Sequence, residues 1–200
     1  MEAVYLFMIA LGCSFAGSIP PGSINLSVMQ LAVQGKKGGA LTFALAAACI
    51  EFLYAGLAVR FQIYLTDNIE IATWFKWVSG TILILLGLFN LVKKNRASRT
   101  MDSGEKRAGF AKGVVVALMN PLAIPYWLTV TTYLQAMQWI VLSSENYLVY
   151  VTGISVGTML LLLAVIALGT RFSAIQNNPF LLYRVPGLIF LVMGVWTFVQ

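Results

Sequence analysis

The sequence predicts an all-α integral membrane protein of six transmembrane helices, built as two inverted three-helix repeats in which the first and fourth helices are broken. Three observations carry this reading. The 200 residues are 60% hydrophobic and 10% charged, with a mean hydropathy of +0.85, whereas soluble domains run near 25% charged. Six apolar runs are long enough to cross a ~30 Å hydrocarbon core, which takes about 20 helical residues. The runs also fall into two sets of three that echo one another.

The first span, Val4–Val33, is interrupted by Gly17-Ser18-Ile19-Pro20-Pro21-Gly22-Ser23-Ile24-Asn25. Pro20 and Pro21 cannot donate backbone hydrogen bonds, and Gly22 lowers helical preference further. The carbonyls one turn earlier lose their partners. Lipid cannot replace them, so the break must face protein or a water-filled cavity. Asn25 follows with an amide that donates and accepts. A broken helix at mid-bilayer with a polar side chain is a common way to hold a small polar solute; the plain alternative is a proline-kinked structural helix. Ala10-Leu11-Gly12-Cys13 loosely resembles a lipoprotein cleavage site, but Glu2 stands where a basic segment would be needed, so the run reads as a retained first helix.

The second span, Leu41–Leu65, holds a carboxylate at membrane depth, Glu51. A charge there costs roughly 2.5–3.5 kcal/mol on insertion scales. Ala44, Ala48, Glu51, Ala55 and Ala58 share one helical stripe, and small residues mark close helix contacts, so Glu51 should face the bundle. It suits proton exchange or a substrate ammonium; the alternative is a protonated side chain holding helices together. Arg60 lies nine residues on, about 13 Å along the helix, and is expected at the outer surface near Asp67 or Glu70.

The third and sixth spans, Trp74–Val92 and Phe180–Val199, share Val, Gly, Ile, Gly and Val at equal spacing, from Val78-Ser79-Gly80 and Val185-Pro186-Gly187 onward. The fourth span, Phe110–Tyr133, carries Asn120-Pro121 and Pro125, echoing the first, and then Trp127, which could stack on a solute or simply pack. The fifth, Tyr147–Gly169, has Gly153 and Gly157 at the spacing of close helix packing. One membrane domain, 1–200, therefore divides into repeat 1 (1–92), a basic loop (93–109) and repeat 2 (110–200). Three helices repeated in tandem enter from opposite sides, which makes the repeat inverted and puts a site near the bilayer middle.

Eleven of the 13 basic residues fall in alternate loops: Lys36 and Lys37, then Lys93 to Lys112, then Arg171 and Arg184; Arg60 and Lys76 are the exceptions. The positive-inside rule makes loops 34–38, 93–109 and 170–179 cytoplasmic and places both termini outside, in the inner membrane of a bacterium. The charge of +6 is thus a topology signal and predicts no nucleic-acid partner. There is no His, and the two cysteines, Cys13 and Cys49, lie in apolar runs. No metal, no cofactor and no enzymatic chemistry are implied.

Four features together resemble the LysE/RhtB family of amino-acid exporters: Pro21-Gly22 followed by Asn25; Gln34-Gly35-Lys36-Lys37-Gly38-Gly39 before the second span; Glu51 midway along it; and Gly113 followed by Asn120-Pro121. Two places depart. Ser23 and Ile24 separate Gly22 from Asn25, where the family usually reads Pro-Gly-Pro-Asn, and Leu122 replaces the Lys of Asn-Pro-Lys-Ala. The resemblance implies efflux of amino acids or similar small metabolites, driven by proton exchange. The expected transport site is Pro20, Pro21, Gly22, Asn25, Glu51, Asn120, Pro121, Pro125 and Trp127, with Glu51 coupling protons. The expected partners are a small-molecule substrate and membrane lipid, and homo-oligomerisation is left open. Two alternatives differ in class: a thiol carrier of reducing equivalents using Cys13 and Cys49, and a non-transporting membrane scaffold.

Overall fold

The computed structural model describes residues 2–19, 22–66, 106–120 and 123–168, with isolated positions in 77–91 and 184–195. It has six helices in these segments and no strand among the described residues: α1 (Glu2–Gly17), α2 (Ser23–Val33), α3 (Lys37–Thr66), α4 (Lys106–Leu118), α5 (Ala123–Ala136) and α6 (Tyr147–Ala167). The first predicted span falls on two shorter apolar helices, α1 and α2, the second on α3, the fourth on the bent pair α4 and α5, and the fifth on α6. α3 and α6 are each long and apolar enough to cross a membrane, and α4 and α5 together make a third candidate span bent by 63°. The third and sixth spans, and the repeat read from them, lie outside the described residues. Their isolated described positions, such as Trp77, Leu85, Leu88, Leu188 and Val192, are helical.

The chain divides into two compact units, Met1–Ile63 with Asp102–Ser173 and Tyr64–Met101 with Ala174–Gln200. In the first unit, α3 buries the stripe that the sequence predicts: Ala44, Ala55 and Ala58 are fully enclosed and Ala48 nearly so. Leu41, Leu45, Leu53 and Leu57 are exposed at fourfold and eightfold spacings, the apolar face expected toward lipid.

Glycines set two close crossings. A Cβ on Gly153 would lie 2.5 Å from the Phe7 carbonyl oxygen, and one on Gly157 would lie 2.5 Å from that of Leu11. A Cβ on Gly109 would lie 2.5 Å from the Gly39 carbonyl, and one on Gly113 would lie 2.6 Å from that of Phe43. Residue numbers rise together in both crossings, so α1 runs parallel to α6 and α4 runs parallel to α3. Ser14, fully buried, locks the first crossing by donating to the Ile154 carbonyl at 2.7 Å, and it shares a 2.9 Å hydrogen bond with Thr158. Ser155 ties α6 to α3 through the Ala48 carbonyl at 2.8 Å. The turn between α2 and α3 closes on Gly35, at φ +75°, with the Lys36 N–H donating to the Leu31 carbonyl; the left-handed residue there explains the glycine of the basic turn.

Arg60 is exposed near the far end of α3. Its guanidinium carbon sits 5.3 Å from the centroid of the Tyr147 ring, which fixes the far end of α3 beside the start of α6. Asp67 and Glu70, its expected neighbours, lie outside the described residues.

Gly157→Val should force α1 and α6 apart, because the opposing atom is backbone and cannot rotate away. The expected cost is about 1–3 kcal/mol, measured as a lower Tm in detergent. Gly12→Val is the control, since a Cβ there meets nothing within 4 Å.

Candidate functional site between two broken helices

Each break leaves carbonyls without helical partners, and a side chain reaches each one. After α1, the Asn25 amide nitrogen donates to the Ser18 carbonyl at 2.6 Å. After α4, the Tyr54 hydroxyl donates to the Leu118 carbonyl at 2.8 Å. Asn25, one of the expected site residues, is thereby tied to the end of α1. Tyr54 was not among the expected site residues. Its signal was its place three residues after Glu51, on the same face of α3.

Glu51 is part-buried on α3. Its Oε1 accepts a 2.5 Å hydrogen bond from the indole Nε1 of Trp127, one turn into α5. Trp127 is 1% exposed, so this is neither surface packing nor a free stacking platform. The indole only donates, and its direction suits a carboxylate oxygen. Tyr126 meets Trp127 edge-on, with ring centroids 5.0 Å apart. The Tyr126 hydroxyl occupies the space that a Cβ would fill on Gly17, the last residue of α1. A chain of contacts thus runs from the first break through Gly17, Tyr126 and Trp127 to Glu51. Gly17 opens the stretch read from the sequence as the first break, but its contact with Tyr126 was not read there, because it depends on how two distant segments are brought together.

The other expected site residues divide as follows. Gly22 is exposed and extended (φ −100°, ψ −177°), and it precedes α2, whose first turn has no side-chain cap from that position. Nothing lies within 4 Å of a Cβ added there, so its backbone shape alone does not demand glycine. Asn120 is part-buried just past the end of α4. Pro125 lies in the first turn of α5, and its carbonyl accepts from Thr129 at 2.8 Å. Pro20, Pro21 and Pro121 lie outside the described residues, as does Leu122. Cys13 is half-buried on α1 and Cys49 is exposed on α3, and both are free thiols. No cluster of His, Cys, Asp or Glu that could hold a metal ion occurs among the described residues.

The apolar helices are those of a membrane protein, and the family that the sequence matches is one of translocators, not enzymes. The sequence model of the LysE type translocator family matches residues 15–200, and the chain belongs to that family. It is also 24% identical over 199 residues to a Bacillus subtilis (strain 168) protein named "Putative amino acid efflux protein YcgF", an alignment covering 96% of this chain and 94% of that one. No solved structure matches the chain.

Gly17→Ala should displace the Tyr126 ring and disturb Trp127, changing the near-UV circular dichroism of the purified protein. In a Tyr126→Ala background the same substitution should have no further effect. An unchanged aromatic signal in the single variant would show that Tyr126 does not seat on Gly17.

Proposed function

We propose that this translocator is a secondary exporter that moves amino acids or similar small polar metabolites out of the cytoplasm in exchange for protons. The observation that carries this reading is the Glu51 carboxylate, held by Trp127 beside the two breaks. An ionisable group kept at membrane depth is functional by default. Family membership and the name of the Bacillus relative agree with amino-acid efflux.

The site has chemistry for both ends of an amino acid. Glu51 offers a negative charge to an ammonium. The N-termini of α2 and α5 carry the positive ends of their helix dipoles, which favour a carboxylate. A proton taken up by Glu51 weakens the acceptor that holds the Trp127 indole, so loading Glu51 with a proton or with an ammonium changes the same contact. Exchange follows if the two loads exclude each other.

The inverted repeat belongs to this proposal. Its support is the exchange of partners within the first unit: α1 crosses α6 in parallel, and α4 crosses α3 in parallel. If α1 corresponds to α4 and α3 corresponds to α6, each crossing is the image of the other. With the basic loops taken as cytoplasmic, the start of α3 lies at the cytoplasmic side and both termini lie outside in this reading. The thiol-carrier alternative gains nothing from the geometry, since Cys49 is on the exposed side of α3. A scaffold role would use Glu51 only to tie α3 to α5, and the Glu51→Gln test below separates that from transport.

Proteoliposomes loaded with a panel of labelled amino acids, with and without an imposed pH gradient, test this reading. Wild type should release at least one amino acid in a gradient-dependent way, and Glu51→Gln should stop that release while remaining folded. Efflux that survives Glu51→Gln would reduce Glu51 to packing. No efflux of any amino acid from folded wild type would remove the substrate class.

A further inference from the structure

Tyr54, Tyr126 and Tyr150 come from three helices of the first unit, and their hydroxyls are used differently. The Tyr54 hydroxyl donates to the Leu118 carbonyl at 2.8 Å. The Tyr150 hydroxyl accepts from Thr131 at 3.4 Å. Tyr126, in the first turn of α5, has no hydrogen-bond partner among the described residues. Its hydroxyl rests where a side chain of Gly17 would begin, at the end of α1. Glycine offers it neither a donor nor an acceptor on that side chain.

A part-buried hydroxyl without a partner is costly, and a solute or water that supplies the partner removes the cost. The surroundings of Tyr126 say which solute fits. Its ring meets Trp127 edge-on at 5.0 Å between centroids, and the Trp127 indole donates to Glu51. Glu51 is close enough to act on Tyr126 electrostatically. Glu51 and Tyr126 both keep accessible surface, while Trp127 between them is 1% exposed. A carboxylate and an unused hydroxyl are therefore set on either side of a sealed indole. The start of α5 adds the positive end of its dipole, but Pro125 removes one of its backbone donors. The Tyr126 hydroxyl, in the same turn, supplies a donor in its place.

We propose that Tyr126 is a substrate-contacting residue, whose hydroxyl donates to the carboxylate of an amino acid while Glu51 holds the ammonium. The inference rests on the exporter reading and adds a basis for selection to it. Glu51 alone would hold a simple amine as well as an amino acid with the same side chain. The hydroxyl favours the amino acid, because only that solute brings an acceptor for it. Gly17 belongs to the same arrangement, since a larger residue there would displace the phenol.

The test is efflux kinetics in proteoliposomes with the 20 common amino acids as labelled probes and the decarboxylated amine of each exported one as competitor. Tyr126→Phe keeps the ring against Trp127 and removes only the hydroxyl. It should raise KM for an exported amino acid roughly tenfold to a hundredfold, the value of a hydrogen bond to a charged group, at a similar maximal rate. Inhibition by the matching amine should not change. An unchanged KM, or equal weakening of amino acid and amine, would overturn the inference and leave the exporter reading standing. No efflux of any probe by folded wild type would overturn both. If Tyr126→Phe fails to fold, Gly17→Ala replaces it: displacing the hydroxyl should raise KM for the amino acid and again spare the amine, and a KM equal to that of wild type would count against the contact.

Discussion

The hydrogen bond from the Trp127 indole to the Glu51 carboxylate is the constraint on which the rest of the unit depends. A carboxylate at that depth needs a donor that lipid cannot provide. The donor comes from α5, one turn past the bend that separates α5 from α4. For the two to meet at 2.5 Å, α3 must present a face of small residues. Ala48, Ala55 and Ala58, all buried, give it that face. The break before α5 must then aim Trp127 inward, and the 63° bend between α4 and α5 is how the chain turns toward it.

Breaking two helices creates carbonyls that must be satisfied, and the unit answers with side chains from close by. Asn25 covers the first break from within the same span. Tyr54 covers the second from α3, one turn from Glu51. The glycines at 109, 113, 153 and 157 have a separate task, which is to let α1 and α4 approach α6 and α3 backbone to backbone. Close packing fixes the long helices, and the half-helix ends are then positioned by a few hydrogen bonds. Stability is thereby concentrated in the crossings, which leaves the region near the breaks governed by single polar contacts.

Much of this was legible in the chain. The breaks follow from proline and glycine chemistry, which acts locally. The inward face of α3 follows from helical period, and Glu51 follows from the cost of a charge in lipid. The tight crossing at Gly153 and Gly157 was legible for the same reason. The partner of Glu51 was not, because periodicity along one helix does not fix its register against another. Trp127 consequently read as a stacking or packing residue, although it is a donor to the carboxylate. Tyr54, and the seating of Tyr126 against Gly17, were missed on the same ground. The contact of Arg60 with the Tyr147 ring was not legible either, since it joins two helices far apart in the chain. The expectations resting on Pro20, Pro21, Pro121 and the third and sixth spans concern positions outside the described residues.

The central claim is that Trp127 senses the charge on Glu51. Of the five tryptophans, four can be replaced by Phe to leave Trp127 as the sole reporter, and its ultraviolet resonance Raman or fluorescence spectrum can then be followed across pH in proteoliposomes. The account predicts a single titrating change in the indole N–H hydrogen bond, abolished by Glu51→Gln. A spectrum indifferent to pH, or a titration that persists unchanged in Glu51→Gln, would contradict it.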